Sequence, residues 1–433
     1  MKITISGIRG IYGQDLNLHE VNSLVSQFAE MIKSAKCVVS RDTRPSSRII
    51  ASVVTAKLMA AGIDVYNLGV APTPAAFREA RKFGAAVMVT ASHNPLEWNG
   101  LKFIIDGRGL FELELEAMLS MTGSFSNTLG NEFEISSGYA DEIAETTKSD
   151  TMIKVGIDVG GGAASGYAEH LFKKLGNKYY SINGIPGISS RGPDPTADDL
   201  TDLCGLVTAN KLDYGFAFDL DADRVVVVNS NGEKLNPDAT LLLCVARAIE
   251  IGTKKFVTSI DTSIAIEKYI RDRNGRIVAH SKVGEANVVS KMLEVDADAG
   301  GEGSSAGFIM PKINMCRDGL LAAATISTLD KKTVDECRIY TTQFAQIRSK
   351  IAVDSSLHKE VIEKLTDMFK SESSSIMTED GVKAIIDDDS WILIRPSNTE
   401  HAIRVSVESR ADKVQAIYTK TNQKVQAVYD QVR

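Results

Sequence analysis

A strand–helix–strand pattern recurs three times along the chain, and this repeat is the feature that most constrains the fold. Each copy begins with a short run of β-branched residues that ends in an aspartate and leads into a helical pattern. The three runs cover residues 38–43, 155–159 and 257–262. Each predicted helix ends near a glycine, which suits a helix C-cap, and a second apolar strand follows. Units spaced by about 110 residues predict three similar mixed-sheet α/β domains instead of one large sheet.

The C-terminal part of the chain follows a different order. From about residue 342 the pattern predicts elements in the order helix, three strands, helix, over residues 359–370, 382–387, 391–395, 402–408 and 411–432. This order is typical of a smaller α+β domain. With polar linkers near residues 122–138 and 229–232, the sequence predicts four domains, over residues 1–135, 136–232, 233–343 and 344–433.

The composition argues against nucleic acid and membranes as partners. The net charge of −7 leaves no basic footprint for nucleic acid. No apolar run approaches the roughly 18 residues that a membrane span needs. The five cysteines are odd in number and form no CxxC pair, which argues against a disulfide framework and a zinc ribbon. The N-terminal segment has no apolar signal region, so we expect a cytoplasmic protein; no heptad repeat marks an oligomeric interface.

Ser92 lies in a short polar segment, residues 90–95 (TASHNP, the serine loop), directly after the apolar run 85–89. A strand that ends in such a loop exposes a hydroxyl at the carboxyl edge of a sheet, where α/β proteins usually place their chemistry. Taken alone, the segment is better explained as a loop with an Asn-Pro turn. A serine hydroxyl is a weak nucleophile, so it needs an activator or it carries a phosphate as a donor.

Three aspartates alternate in residues 219–224 (DLDADR, the aspartate loop), which follow an apolar run. Asp219, Asp221 and Asp223 can turn toward one hard cation, and ligation by oxygen alone favours Mg²⁺. A solvated acidic turn is the alternative, but like charges at alternate positions repel unless a cation lies among them. A hydroxyl and three carboxylates together indicate metal-assisted phosphoryl transfer.

Two other classes of site also use an aspartate-rich loop. A calcium EF-hand needs glycine and glutamate at its sixth and twelfth positions, where this chain has Arg224 and Ser230. A phosphatase with Asp219 as its nucleophile stays open at this point, although it would leave Ser92 without a role.

Three further segments carry groups that bind anions or hydroxyls. Residues 395–400 (RPSNTE, the arginine loop) offer a guanidinium, hydroxyls and backbone N–H groups for a phosphate dianion, with a plain turn as the alternative. Residues 300–307 (GGEGSSAG, the glutamate loop) contain Glu302, which would accept hydrogen bonds from sugar hydroxyls; a surface loop is the alternative. In residues 6–10 (SGIRG), Arg9 lies between glycines and can approach an anion closely.

Taken together, these segments resemble the α-D-phosphohexomutase family of phosphoglucomutases, phosphomannomutases and phosphoglucosamine mutases. The chain has, in the family's order, SGIRG, RDTRPSS, TASHNP, DLDADR, GGEGSSAG and RPSNTE. The resemblance covers essentially the whole chain. It implies four domains around a central cleft, with the first three alike. It also implies an enzyme that moves phosphate between the 6- and 1-positions of a hexose or hexosamine phosphate.

The resemblance further implies a role for each matching residue. Ser92 would be the phosphoserine, and the reaction would pass through a sugar bisphosphate, which also acts as activator. Asp219, Asp221 and Asp223 would hold Mg²⁺ together with the phosphate on Ser92. The reaction centre would be lined by Arg9, His93, Lys102 and Arg224, with Lys102 as the candidate for proton transfer. The substrate would be bound by Lys282, Glu302, Ser304, Arg395, Ser397, Asn398, Thr399 and Arg404.

The chain departs from the family's common pattern at several positions. Leu220 stands where many members have glycine, and the glutamate loop ends Ser-Ala-Gly where Ser-Gly-His is common. Residues 282–285 (KVGE) resemble the glucosamine-type enzymes, whereas Asn398 resembles the manno/gluco type. The two cues point to different sugars, so the sequence does not select the substrate. A non-catalytic sugar-phosphate sensor with the same fold is a further alternative.

Overall fold

The computed structural model describes residues 1–123, 126–149, 151–397 and 401–433, and within them the chain forms four sheets. The elements of the first domain are β1 (Lys2–Thr4), β2 (Gly7–Ile11), α1 (Leu18–Met31), β3 (Lys36–Arg41), α2 (Ser47–Ala60), β4 (Asp64–Val70), α3 (Thr73–Phe83), β5 (Ala85–Val89), β6 (Trp98–Ile105), β7 (Arg108–Gly109), α4 (Glu112–Leu119) and β8 (Glu132–Glu134).

The second and third domains are smaller. The second contains α5 (Tyr139–Thr146), β9 (Lys154–Asp158), α6 (Tyr167–Lys174), β10 (Lys178–Ile182), α7 (Thr201–Asn210), β11 (Tyr214–Phe218) and β12 (Val225–Asn229). The third contains α8 (Pro237–Glu250), β13 (Lys255–Ser259), α9 (Ile264–Asp272), β14 (Arg276–Ser281), α10 (Glu285–Val295), β15 (Ala299–Glu302), β16 (Gly307–Ile309), α11 (Gly319–Ile326) and α12 (Lys331–Thr342).

The first three sheets share one topology, which confirms the three similar mixed-sheet domains expected from the repeat. Their common strand orders are β4-β3-β5-β6, β10-β9-β11-β12 and β14-β13-β15-β16. In each unit the first three strands are parallel and the last is antiparallel. The interior strands β5, β11 and β15 therefore end in equivalent loops. These are the serine loop, the aspartate loop and the glutamate loop, with Glu302 as the last residue of β15.

The fourth domain is an antiparallel sheet covered on one face by two helices, as the α+β prediction required. It contains β17 (Phe344–Ala352), α13 (His358–Lys370), β18 (Ser375–Met377), β19 (Val382–Asp387), β20 (Ser390–Pro396), β21 (Ala402–Arg410) and α14 (Val414–Val432). The strand order is β17-β21-β20-β19-β18. The sequence did not predict β17, because charged and polar residues such as Arg348 and Lys350 interrupt its apolar positions. It also did not predict the short strand β18, and it started the last helix three residues early.

One apolar core runs through the first three domains, and the fourth has its own. The shared core includes residues from each of the three sheets, among them Val38, Phe216 and Phe256. The core of the fourth domain lies between its sheet and α13 and α14. A smaller cluster that includes Ile264 and Trp391 joins the fourth domain to the third. Among the helices that the structure describes, none is both long and apolar enough to cross a membrane.

The buried carboxylate of Glu408 fastens this junction. It accepts hydrogen bonds from the Nε1 of Trp391 at 2.7 Å and the backbone N–H of Ile264 at 2.8 Å. It also accepts one from the hydroxyl of Ser263, the N-cap residue of α9. Burial raises the pKa of Glu408, and these three hydrogen bonds, two of them from the N-terminus of α9, oppose that shift.

We expect Glu408→Gln to lower the free energy of unfolding by about 1–3 kcal/mol, because the new amide donor faces buried N–H groups that lose their acceptor. The variants are made in a Trp98→Phe background, which leaves Trp391 as the only tryptophan. Urea unfolding followed by tryptophan fluorescence then reports on this junction. Glu363→Gln, at an exposed position on α13, is the control. Equal midpoints for the two variants would contradict the assigned role of Glu408.

Candidate active site

The serine loop holds Ser92 in a strained conformation that points its hydroxyl at the aspartate loop. Ser92 has a φ of +52°, in the left-handed region that residues with a Cβ adopt only at a cost. Its backbone N–H donates to the Oγ1 of Thr90 at 2.8 Å. Its side chain is buried, and Oγ donates to the Oδ2 of Asp219 at 2.8 Å. The two segments that the sequence singled out, one from each of the first two domains, therefore meet.

A buried ion pair between Arg44 and Asp42 contacts the serine loop and supports it. The Nε of Arg44 lies 3.0 Å from the Oδ2 of Asp42, and both residues are almost fully enclosed. The Arg44 guanidinium donates to the backbone carbonyls of Ser92, Asn94, Pro95 and Trp98. Asp42 also accepts from the hydroxyl of Thr90 at 2.7 Å. The guanidinium thus fixes the backbone at Ser92 and after it, while the Asp42 carboxylate fixes Thr90 before it.

The three aspartates form one buried cluster. Carboxylate oxygens of Asp219, Asp221 and Asp223 lie within 4.8 Å of one another. The Oδ1 atoms of Asp221 and Asp223 are buried and have no hydrogen-bond partner among the described residues. Burial, followed by the charges of Asp223 and Asp221, raises the pKa of Asp219 well above its usual range. A hard divalent cation would give the two Oδ1 atoms a ligand to bind and would neutralise the repulsion among the carboxylates. These residues therefore fit Mg²⁺.

Two cations from other domains neutralise part of this cluster. The Nζ of Lys102, on β6, lies 2.8 Å from the Oδ2 atoms of both Asp221 and Asp223. Burial opposes the charge of this lysine, but attraction to the two carboxylates outweighs it and raises the pKa of Lys102 above its usual value. The Nη2 of Arg317, just before α11, lies 2.9 Å from the Oδ2 of Asp223. The first three domains therefore meet at the aspartate loop.

The other residues predicted for the reaction centre surround the cluster. The Nη1 of Arg9 donates to the Oδ1 of Asn94 at 3.1 Å, which ties β2 to the serine loop. The Nε of Arg224 lies 3.6 Å from the Oδ1 of Asp223. The Nδ1 of His93 lies 3.4 Å from the Oγ of Ser92. Burial and the nearby arginines lower the pKa of His93 to about 3, so its imidazole is neutral near pH 7.

Glu302 is held from two sides at the end of β15. Its Oε1 accepts the backbone N–H of Gly284 at 3.0 Å, and its Oε2 lies 3.2 Å from the Nη1 of Arg317. Ser304, in the same loop, is half-buried and lines a cavity toward the fourth domain. Lys282 follows β14 and is exposed. Arg317 thus touches both the glutamate loop and the aspartate loop.

A row of cations crosses the fourth sheet on the side that faces Ser304. Lys350, Arg404 and Arg395 are register partners on β17, β21 and β20, so their side chains lie on one face. Together with Arg348 they line a cavity of about 330 Å³ that also includes Ser304. Several guanidinium groups on one concave surface are suited to a phosphate dianion.

The remaining residues predicted for the arginine loop are only partly described. Ser397 is buried, and its backbone N–H donates to the carbonyl of Ala402 at 2.9 Å. Asn398 and Thr399 lie outside the described residues. The Nη1 of Arg395 lies 3.6 Å from the Oδ2 of Asp380, which also accepts the backbone N–H of Val283.

Sequence reasoning missed several residues of this site, among them Arg44, Lys350 and Arg317. Lys350 was missed because β17 was not predicted. Arg317 stands beside Asp318 in a mostly apolar stretch, residues 313–326. A charged residue in a segment expected to be buried needs a partner of opposite charge, and that signal could have identified it.

Comparison with known proteins gives a consistent result along the whole chain. Four domain families match in order, described as phosphoglucomutase/phosphomannomutase alpha/beta/alpha domains I, II and III and C-terminal domain. They cover residues 1–119, 137–232, 236–343 and 337–419.

The relatives include proteins named for glucosamine and for glucose or mannose phosphates. A probable phosphoglucosamine mutase of Methanothermobacter thermautotrophicus is 32% identical over 96% of both chains. A phosphoglucomutase/phosphomannomutase of Thermococcus kodakarensis is also 32% identical, over 94% of both chains. The crystal structure of a phosphoglucomutase/phosphomannomutase family protein from Burkholderia thailandensis has a TM-score of 0.83 at 23% identity, covering 99% of this chain and 98% of that one. This likeness supports the fold.

We expect Arg44→Lys to lower the free energy of unfolding by about 2–4 kcal/mol, because an ammonium cannot make all the hydrogen bonds that the buried guanidinium donates to Asp42 and to four backbone carbonyls. Displacement of the serine loop should also reduce kcat by about tenfold or more, since positioning errors near 1 Å are costly. Thermal denaturation and steady-state kinetics measure the two effects. Arg48→Lys, exposed on α2, should change neither, and a normal kcat for Arg44→Lys would refute the supporting role.

Proposed function

Because this chain belongs to the phosphoglucomutase/phosphomannomutase family and is therefore a phosphohexomutase, we propose that Ser92 carries the phosphate that it exchanges with its substrate. The observation that supports this role best is the hydrogen bond of 2.8 Å from the Oγ of Ser92 to Asp219 in the cation-binding cluster. A phosphate on that oxygen would lie beside the three carboxylates of the aspartate loop, where one divalent cation could compensate all four acidic groups.

The proposed phosphoryl transfer needs no reactant other than the sugar and phosphorylated Ser92. The oxygen of a sugar hydroxyl forms a bond to the phosphorus, the bond from phosphorus to the Ser92 oxygen breaks, and the hydroxyl proton finally resides on the Ser92 oxygen. The product is a sugar bisphosphate. After it turns around, its other phosphate returns to Ser92 by the reverse steps. Substrate and product are then hexose monophosphates that differ only in the position of the phosphate.

Asp219, Asp221 and Asp223 are the residues that would hold Mg²⁺ together with the phosphate on Ser92. When bound, the cation would neutralise charge on the transferring phosphoryl group. The Oδ1 atoms of Asp221 and Asp223, which accept no hydrogen bond from the described residues, support this assignment.

Lys102 is the proposed group for proton transfer. Its Nζ lies within hydrogen-bond distance of two of the three carboxylates, which supports this role. Its raised pKa keeps it protonated at rest; it would give a proton to the serine oxygen as the phosphate leaves and regain one from the sugar hydroxyl. Arg9, Arg224 and neutral His93 would bind and orient the transferring phosphate.

The opposite end of the substrate would be held by the third and fourth domains. Glu302 and Ser304 would bind sugar hydroxyls, with Lys282 at the rim. The second phosphate would bind the cations of the fourth sheet, Arg395 and Arg404, with Ser397, Asn398 and Thr399 of the arginine loop. One fixed phosphate site and one reactive phosphate allow either end of the sugar to be processed.

Glucosamine phosphate is our first candidate substrate. The KVGE segment at residues 282–285 and a relative called a probable phosphoglucosamine mutase support it. A coupled assay with Mg²⁺ and a trace of sugar bisphosphate would compare the 1-phosphates of glucosamine, glucose and mannose. The highest kcat/KM identifies the sugar, and preference for glucose or mannose would overturn the glucosamine assignment. A cytoplasmic location and the domain limits at residues 135, 232 and 343 stay predictions.

Ser92→Ala should reduce turnover by about a thousandfold or more, because it removes the only oxygen that can carry the phosphate. A phosphatase with Asp219 as its nucleophile would keep its activity in this variant. Mass spectrometry of the peptide that contains Ser92 tests the modification directly. Ser52→Ala, exposed on α2, is the matched control, and full activity of Ser92→Ala would falsify the phosphoserine mechanism.

A further inference from the structure

Arg317 is a buried cation with three carboxylates around it, each from a different segment. Its Nη2 lies 2.9 Å from the Oδ2 of Asp223, and its Nη1 lies 3.2 Å from the Oε2 of Glu302. Its Nε lies 3.3 Å from the Oε2 of Glu285 at the start of α10, which also accepts its backbone N–H at 2.9 Å. The side chain is only 6% exposed, so these charges compensate one another with little help from water.

Two glycines make room for this arrangement. A Cβ at Gly307 would collide with the Cγ and Cδ of Arg317, so the stem of the arginine fills the space of a side chain at residue 307. A Cβ at Gly319 would lie 2.6 Å from the carbonyl oxygen of Arg224. The backbone N–H of Gly319 donates to the carbonyl of Ala222 at 3.2 Å. The segment around Arg317 therefore packs directly on the aspartate loop.

We infer that Arg317 is a positioning residue whose guanidinium pairs with both the aspartate loop and the glutamate loop. It thereby sets the affinity of the aspartate loop for a divalent cation and that of the glutamate loop for the sugar. At Asp223 the guanidinium competes with a divalent cation for the Oδ2 atom. At Glu302 it holds the carboxylate in the orientation that faces the sugar. This inference rests on the proposed roles of Glu302 and of the three aspartates.

The two contacts give opposite consequences when the guanidinium is removed. Asp223 would lose a competing positive charge, so a divalent cation would bind more tightly. Glu302 would lose the group that orients it, so the sugar phosphate would bind more weakly. A merely structural role would weaken both ligands together, because both loops would loosen.

The experiment measures two dissociation constants by calorimetry on the full-length protein, one for Mg²⁺ alone and one for glucosamine 6-phosphate. For Arg317→Met we expect Mg²⁺ to bind at least about fivefold more tightly, since a neighbouring cation is removed from a low-dielectric site. We expect glucosamine 6-phosphate to bind about tenfold more weakly, as for loss of a charged hydrogen bond. Arg271→Met, exposed on α9, changes the net charge equally and should alter neither constant.

Arg317→Lys provides a second test, and it keeps a positive charge if Arg317→Met does not fold. One ammonium cannot reach both loops, so we expect Mg²⁺ affinity within about threefold of the wild type and weaker binding of the sugar phosphate. Wild-type sugar affinity in Arg317→Lys, or shifts in the same direction in Arg317→Met, would overturn the inference alone. If the wild type binds neither Mg²⁺ nor any phosphate of glucosamine, glucose or mannose, the proposed function fails instead.

Discussion

Mutual repulsion among three buried carboxylates is the constraint on which the centre of this molecule depends. Asp219, Asp221 and Asp223 lie too close together to be charged without compensation. Part of that compensation comes from Lys102 in the first domain and Arg317 in the third. Because both cations must reach the aspartate loop, the three domains have to pack as one body, and their shared apolar core is consistent with this requirement. The charge that remains is what a divalent cation would neutralise.

The repeated topology explains how chemically different loops converge. In each of the first three domains, the interior strand before the antiparallel one ends at the same edge of its sheet, and that is where Ser92, Asp219 and Glu302 are found. The same structural unit thus places the serine proposed to carry phosphate, the aspartates proposed to bind a cation and the glutamate proposed to bind sugar hydroxyls at equivalent positions. The fourth domain has an apolar core of its own and adds a row of cations that line the cavity containing Ser304.

Much of the fold could be predicted from the sequence because its strands are short and strongly apolar. The strands before the serine and aspartate loops are buried along their whole length, and such strands appear in the sequence as continuous apolar runs. β17 was not predicted, since one of its faces carries Arg348 and Lys350 into the cavity that Ser304 also lines, and these charges interrupt the apolar pattern.

The sequence by itself determined the three-fold repeat, the smaller last domain, the family and the loops that carry the chemistry, because periodicity and local motifs depend on neighbours along the chain. Only the tertiary structure decided which charges share a partner. Arg44 supports the serine loop across 48 residues of chain, and Arg317 meets Asp223 across 94. Contacts at such separations depend on how whole domains pack, and burial then sets their strength by removing water. A single sequence records neither the packing nor the burial.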